Sequence, residues 1–234
     1  MRVLVTRPWE DAEAVVALLA ARGIEGIVAP LLAIVPRDAS IDLAGAQAVL
    51  LTSANGARMF ARLTARRDIL VLAVGAVTGA TAREQGFADV RVAGGDVIAL
   101  AALAATLDPV GGTLVHVAGT NVAGDLAGEL ARRGFTVRRA VIYDAVPAPD
   151  LPDAAREALT SGTIDAVLLF SPRTAATFLA LVRKARLEAS LGGLDAVCLS
   201  EAVAAEARAA RWRAVRVAPR PDTEALIDLL AARP

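Results

Sequence analysis

Residues 50–55 read Leu50-Leu51-Thr52-Ser53-Ala54-Asn55 and lead to Phe60; residues 168–173 read Leu168-Leu169-Phe170-Ser171-Pro172-Arg173 and lead to Phe178. Each is an apolar run that stops at a small hydroxylic turn and opens a helix. Two more patterns recur. Val3-Leu4-Val5-Thr6-Arg7, followed by Gly23 and Pro30, is matched by Leu114-Val115-His116-Val117-Ala118, followed by Gly134 and Val141. Leu72-Ala73-Val74-Gly75, followed by Val90-Arg91-Val92, is matched by Val197-Cys198-Leu199-Ser200, followed by Val215-Arg216-Val217. Two copies describe a duplicated α/β unit, not a solenoid. The order is opening, middle, last, and again opening, middle, last. Two consecutive domains would meet between Val92 and Gly112, but residues 97–107 read as a helix. Stretches 33–40 and 144–152, rich in proline and aspartate, read instead as linkers. The expectation is therefore an interleaved pair. Residues 1–36 with 146–234 form a discontinuous first lobe, residues 37–145 the second, and the two linkers lie side by side as a two-strand hinge.

Composition limits the function. The chain of 234 residues carries 25 Lys and Arg against 25 Asp and Glu, so it lacks the basic field of a nucleic-acid binder. The longest apolar run, 97–107, is too short to span a bilayer, and the N-terminus shows no cleavable signal pattern. One cysteine and one histidine exclude an intramolecular disulfide, a multi-thiolate site and a His-pair metal motif. The compartment expected is the reducing cytoplasm.

Short apolar runs alternate with helical segments throughout. The runs are 3–6, 26–29, 48–52, 70–74, 90–92, 114–117, 137–143, 166–170, 196–199 and 214–217. Most lack polar alternation, as do strands covered on both faces. Helices are expected at 10–22, 56–66, 77–85, 97–107, 122–133, 174–184, 202–210 and 223–232, with Gly23, Gly86 and Gly134 as stops. The fold predicted is two flavodoxin-like, doubly wound parallel sheets of about five strands each. Such sheets bind ligands at the carboxyl ends of their strands. The residues there are Thr6, Arg7, Thr52, Ser53, Ala54, Asn55, Gly75, Gly119, Thr120, Asn121, Ser171, Pro172, Arg173 and Ser200. Most precede a helix whose free backbone N–H groups favour an anion. Arg7 and Arg173 could clamp a carboxylate or serve as ion-paired surface arginines. Ser53, Asn55 and Ser171 read as helix starts. His116 and Cys198 lie within strands and read as core, and the pairs Arg66-Arg67, Arg132-Arg133 and Arg138-Arg139 read as solvated faces.

The ordered set resembles the uroporphyrinogen-III synthase family over nearly the whole chain. Val3-Leu4-Val5-Thr6-Arg7-Pro8, Leu51-Thr52-Ser53-Ala54-Asn55-Gly56, Val74-Gly75-Ala76-Val77-Thr78 before Gly86, and Phe170-Ser171-Pro172 are similar to its strand ends and turns. Tyr143 stands where the family carries a strand-end tyrosine. Ser200 and Val203 stand where the family usually has a glycine and a threonine. The resemblance implies that hydroxymethylbilane loses its terminal hydroxyl and closes to a macrocycle with its last pyrrole ring inverted, without a cofactor. It implies Tyr143 and Thr78 as catalytic candidates. Tyr143 would hydrogen-bond the departing hydroxyl or simply pack at the linker; Thr78 would contact ligand or cap a helix. A monomer in transient contact with the upstream bilane-forming enzyme is expected. The alternatives are a cytosolic two-lobed small-anion binding protein without activity, and a nucleotide-dependent enzyme. No G-x-G-x-x-G or phosphate-binding G-x-x-x-x-G-K-[ST] stretch follows a strand, which weakens the latter.

Overall fold

The computed structural model describes residues 1–121 and 124–231. The chain divides into two compact units, Met1–Ala33 with Val146–Pro234, and Ile34–Ala145.

The first unit holds β1 (Arg2–Val5), α1 (Trp9–Ala20) and β2 (Glu25–Val28). After the chain returns it adds α6 (Asp153–Ser161), β9 (Ala166–Leu169), α7 (Pro172–Lys184) and a 3-10 helix, Glu188–Gly193. It ends with β10 (Asp195–Cys198), α8 (Glu201–Ala207), β11 (Ala214–Val217) and α9 (Thr223–Ala231). The sheet order is β11-β10-β9-β1-β2, and every pair is parallel. Counted within the unit this is the flavodoxin order, with the winding reversing between β1 and β9. Both faces are covered, which is why the inner strands β1, β9 and β10 are almost wholly apolar and buried. Val3 and Val5 pack with α1 and α9, whereas Leu4 packs with α6, α7 and α8 on the other side.

The second unit holds β4 (Ala46–Leu51), α2 (Ala54–Leu63), β5 (Val71–Ala73), α3 (Ala76–Glu84) and β6 (Val90–Val92). It continues through α4 (Val97–Ala104), β7 (Thr113–Gly119), α5 (Leu126–Ala131) and β8 (Val137–Pro147). The sheet reads β3-β8-β7-β4-β5-β6, where β3 is Leu32–Pro36. Without β3 the chain order is the other doubly wound arrangement, reversing between β4 and β7, and not the flavodoxin order expected. The reason lies in the repeat. Matched by their sequence patterns, β7, β4 and β5 correspond to β1, β9 and β10, and both sheets place these strands in the same spatial order. The second unit begins at a different point of the same cycle.

The segments read as linkers do lie side by side, but as β3 and the end of β8 within a sheet. Arg37 N donates to Ile142 O and Ala148 N to Leu31 O, both at 2.9 Å, so the two run antiparallel. Pro36 ends a strand at the edge of its sheet, where a missing N–H is tolerated. Among the described residues there are thus eleven strands, not ten. Helix α6 was not foreseen: Pro152 precedes it, and its buried face is only Ala155, Ala158 and Leu159. In the stretch expected as helix 122–133, residues 122 and 123 lie outside the described residues, and α5 starts after Asp125, whose carboxylate accepts from Gly128 N.

Nor are the arginine pairs merely solvated. Arg67 donates Nε to Gln85 O at 2.8 Å and Nη2 to Ala61 O at 2.9 Å, with a further bond to Thr64 O. It thereby satisfies carbonyls at the ends of both α2 and α3, which helices leave open. Its guanidinium lies 4.9 Å over the Phe87 ring, which stacks on Phe60. Arg67→Ala is expected to lower stability by about 2 kcal/mol, and Arg67→Lys to recover little, because one ammonium cannot reach all three carbonyls. Urea unfolding of the three proteins measures this.

Candidate active site

The site of the second unit is built where its winding reverses. Strand β4 ends at Leu51 and hands over to Thr52 and Ser53. Ser53 is the N-cap of α2, its Oγ accepting from Gly56 N at 2.9 Å. Beside it β7 ends at Gly119, and β8 passes Gly119 with an irregularity. Ala118 pairs with Val141 but Gly119 pairs with Tyr143, so one extra residue, Ile142, is taken up on β8. Such a bulge breaks the alternation of side chains. Ile142 and Tyr143, though consecutive, join the same apolar cluster. The Tyr143 ring thereby lies across Gly119. A Cβ at Gly119 would stand 2.7 Å from Tyr143 Cε2 and 2.9 Å from Cζ, closer than atoms can sit. The phenol is 8% exposed, and its oxygen lies 2.9 Å from Ser53 Oγ.

Charged neighbours hold this corner. Arg139 Nη2 donates to Gly119 O at 2.9 Å and Thr120 O at 2.8 Å. Thr120 Oγ1 donates to Asp144, which also pairs with Arg37. Those bonds, the Thr120 hydroxyl first, hold the Asp144 carboxyl below its ordinary range. His116, buried in β7 beside Arg139, lies 3.4 Å from Thr52 Oγ1. Burial, aided by the Arg139 charge, lowers its pKa to about 4, so the ring is neutral at pH 7.

A cavity of about 670 Å³ opens here, lined by Thr52, Ser53, Gly119, Asn121 and Tyr143 and closed by residues from the start of α4 and α5. The charged side chains of the lining are Asp96, Asp125 and Glu129. Asp96 and Asp125 cap α4 and α5 by accepting from Ala99 N and Gly128 N. Glu129 pairs with Arg132. A larger cavity, about 870 Å³, lies in the first unit among Arg183, Leu191, Arg211 and Trp212. It sits where the chain enters β10 and β11, at the edge opposite to the one where doubly wound sheets bind ligands.

Of the residues expected at the site, Ser53, Gly119 and Tyr143 line the smaller cavity. Ala54 is buried in the first turn of α2, and Asn55 Oδ1 accepts from Arg58. Gly75 precedes α3 as its N-cap. Thr78, buried in the first turn of α3, does not cap it. In the first unit, Thr6 Oγ1 is buried and donates to Leu168 O at 2.7 Å, joining β1 to β9. Arg7 pairs with Asp11 at 3.1 Å and lies over Phe170, 4.9 Å from its centroid. Ser171 caps α7, with Pro172 in its first turn, and accepts from Thr174 N; Arg173 follows Pro172 in the same turn. Ser200 precedes α8 without a side-chain cap bond. Thr52, read at the same strand end as Ser53, lines the smaller cavity too, whereas sequence reading missed Asp96 and Asp125. Asp96 stood before an expected helix, a cap signal open to view; Asp125 was hidden inside a helix drawn too long.

Residues 13–228 match the family profile described as Uroporphyrinogen-III synthase HemD. The chain is also similar to two solved structures. One is uroporphyrinogen-III synthetase from Helicobacter pylori, with TM-score 0.64 and 14% identity over 99% of each chain. The other is a mutant uroporphyrinogen III synthase from the extremely thermophilic bacterium Thermus thermophilus, with TM-score 0.55 and 19% identity over 99% of this chain and 97% of that one. At these identities the structures speak for the fold. A search of curated proteins returned no match. The class is that of ring-closing lyases of tetrapyrrole biosynthesis. Within it, this chain belongs to the uroporphyrinogen-III synthase family. Among the described residues no helix is long and apolar enough to cross a membrane, and no cluster of His, Cys, Asp and Glu could hold a metal.

Gly119→Ala is expected to displace the Tyr143 ring. Because Tyr143 is the one tyrosine of the chain, its resonances in a tyrosine-labelled spectrum report the displacement directly. His116 sets a pH dependence. The unfolded ring takes a proton near pH 6.5 and the folded ring only near 4, so its contribution is intact above 6.5 and is lost as pH falls towards 4. The loss is about 1.4 kcal/mol per pH unit within that window. His116→Gln is expected to flatten this slope in urea unfolding measured between these limits.

Proposed function

We propose that this chain converts hydroxymethylbilane to uroporphyrinogen III, with inversion of the last pyrrole ring and loss of water, and that the second unit's cavity is where the hydroxyl departs. One observation carries the placement: the Tyr143 phenol, clamped on Gly119 and bonded to Ser53, lines a cavity at the reversal point of a doubly wound sheet. A phenol carries one O–H donor, which it can give to a departing oxygen. In this reading the bilane's terminal C–O bond breaks, and the oxygen takes the phenol proton and leaves as water. The pyrrole nitrogen's electron pair fills the vacancy to form an azafulvene. The substituted carbon of the last ring then attacks the azafulvene methylene, its bond to the former bridge breaks, and the freed bridge carbon bonds to that ring's unsubstituted α-carbon, which inverts the ring. The proton lost from that α-carbon restores the phenol. Asp96, Asp125 and Glu129 are acceptors suited to pyrrole N–H groups, and they turn the substrate's own carboxylates elsewhere.

The remaining contacts are assigned to helix starts. Gly75 and Thr78 of the second unit, and Thr6, Arg7, Ser171, Arg173 and Ser200 of the first, would meet the acidic side chains, mainly through backbone N–H groups, with Pro172, which has no N–H to give, shaping the turn of α7. In this proposal β3 and β8 act as the two-strand hinge. Curling a flexible chain so that its ends meet removes much of the entropic cost of closure. The enzyme would work as a cytoplasmic monomer receiving the unstable bilane from the enzyme that makes it.

The test supplies enzymatically generated hydroxymethylbilane and identifies the porphyrin isomer after oxidation. Type III is expected; type I alone, the product of spontaneous closure, would overturn the reading. Tyr143→Phe is expected to lower kcat by about 10²-fold or more, the usual range for general acid assistance, with the fold retained.

A further inference from the structure

We propose that Ser53 is a positioning residue for Tyr143: its hydroxyl donates to the phenol oxygen and so sets the direction of the phenol proton. The inference rests on the reading of Tyr143 as proton donor. It starts from a count of bonds. Ser53 Oγ has one proton and two lone pairs. One lone pair accepts from Gly56 N at 2.9 Å, as the N-cap of α2. Its other partner is Tyr143 Oη, at 2.9 Å. If Tyr143 donated, the Ser53 oxygen would accept twice while its own proton, in a half-buried place, found no partner among the described residues. If Ser53 donates, both of its bonds are complete.

Two effects favour the second arrangement. A hydroxyl that accepts a bond becomes a stronger donor, because hydrogen bonds in series polarise one another. The positive end of α2 draws electron density from the same oxygen. The phenol oxygen then receives a bond that also stabilises it as the proton leaves. Gly119 fixes the ring and Ser53 fixes the torsion of its O–H. Neither residue need touch the substrate for this. Threonine in place of Ser53 would keep cap and donor. Alanine would lose both, and glycine would lose the donor while remaining an adequate helix start.

The experiment uses the full chain with enzymatically generated hydroxymethylbilane. It measures kcat and KM for type III formation, and the thermal midpoint, in Ser53→Ala, Ser53→Gly, Ser53→Thr, Tyr143→Phe and the Ser53→Ala/Tyr143→Phe double variant. Ser53→Ala and Ser53→Gly are expected to lose kcat alike, tenfold or more, with KM little changed, although only Ser53→Ala loses midpoint appreciably. Ser53→Thr is expected to recover kcat, and the double variant to be no slower than Tyr143→Phe alone. Wild-type kcat in Ser53→Gly, or losses that multiply in the double variant, would overturn the positioning role. If Tyr143→Phe is impaired and Ser53→Gly is not, this inference alone falls. If Tyr143→Phe turns over like wild type, the reading of Tyr143 falls and takes this inference with it.

Discussion

Parallel pairing between strands far apart in sequence is the constraint behind everything at the site. In the first unit β1 lies against β9, with Val3, Leu4 and Val5 opposite Ala166, Val167 and Leu168. In the second β4 lies against β7, with Val49 and Leu51 opposite Val115 and Val117. At each of these pairs the winding turns from one direction to the other. The loops leaving the two strands therefore diverge, and a crevice is left between them. In the second unit it receives Thr52 and Ser53 from β4 and Gly119 from β7. Apolar burial on both faces sustains the pairing. Leu50 and Leu114 enter one cluster, and Leu51 and Val117 the other.

Within that crevice a single extra residue matters more than any one motif. Ile142, taken up by the bulge in β8, brings Tyr143 level with Gly119. Glycine is required there for space, not for an unusual backbone angle, since any Cβ would enter the ring. The carbonyls of Gly119 and Thr120 are gathered by Arg139, and the Thr120 hydroxyl by Asp144. The same Arg139 charge acts on buried His116, which the desolvated strand keeps neutral. A neutral ring can occupy the middle of a parallel sheet where an imidazolium would be costly. The polar side chains around the phenol thus form a supporting frame whose bonds run largely to backbone.

Much of this was open to reading along the chain. All ten apolar runs coincide with strands, and inner ones such as those in β4 and β9 are apolar without interruption because both their faces are buried. The hydroxyl-and-small turns after residues 51 and 170 mark helix starts, because Ser53 and Ser171 each offer an oxygen to the N–H three places on. Thr6 shows the limit of such reading. A hydroxyl at a strand end suits a ligand rim, yet here it serves the neighbouring strand, at Leu168 O. Arg7 likewise spends its charge on Asp11 and on the Phe170 ring. Residue type suggested availability, and packing removed it.

What the amino-acid order determined by itself was local. It set the alternation of strand and helix, the helix starts, and a twofold repetition of the same unit, all governed by contacts a few residues apart. What only the tertiary structure decided was long in range: that β3 joins a sheet at all, that the second sheet starts its cycle at another strand, and that Tyr143 lies on Gly119 within reach of Ser53. Those depend on register between strands tens of residues apart, and register is chosen by the packing of whole faces, which no short stretch of sequence contains.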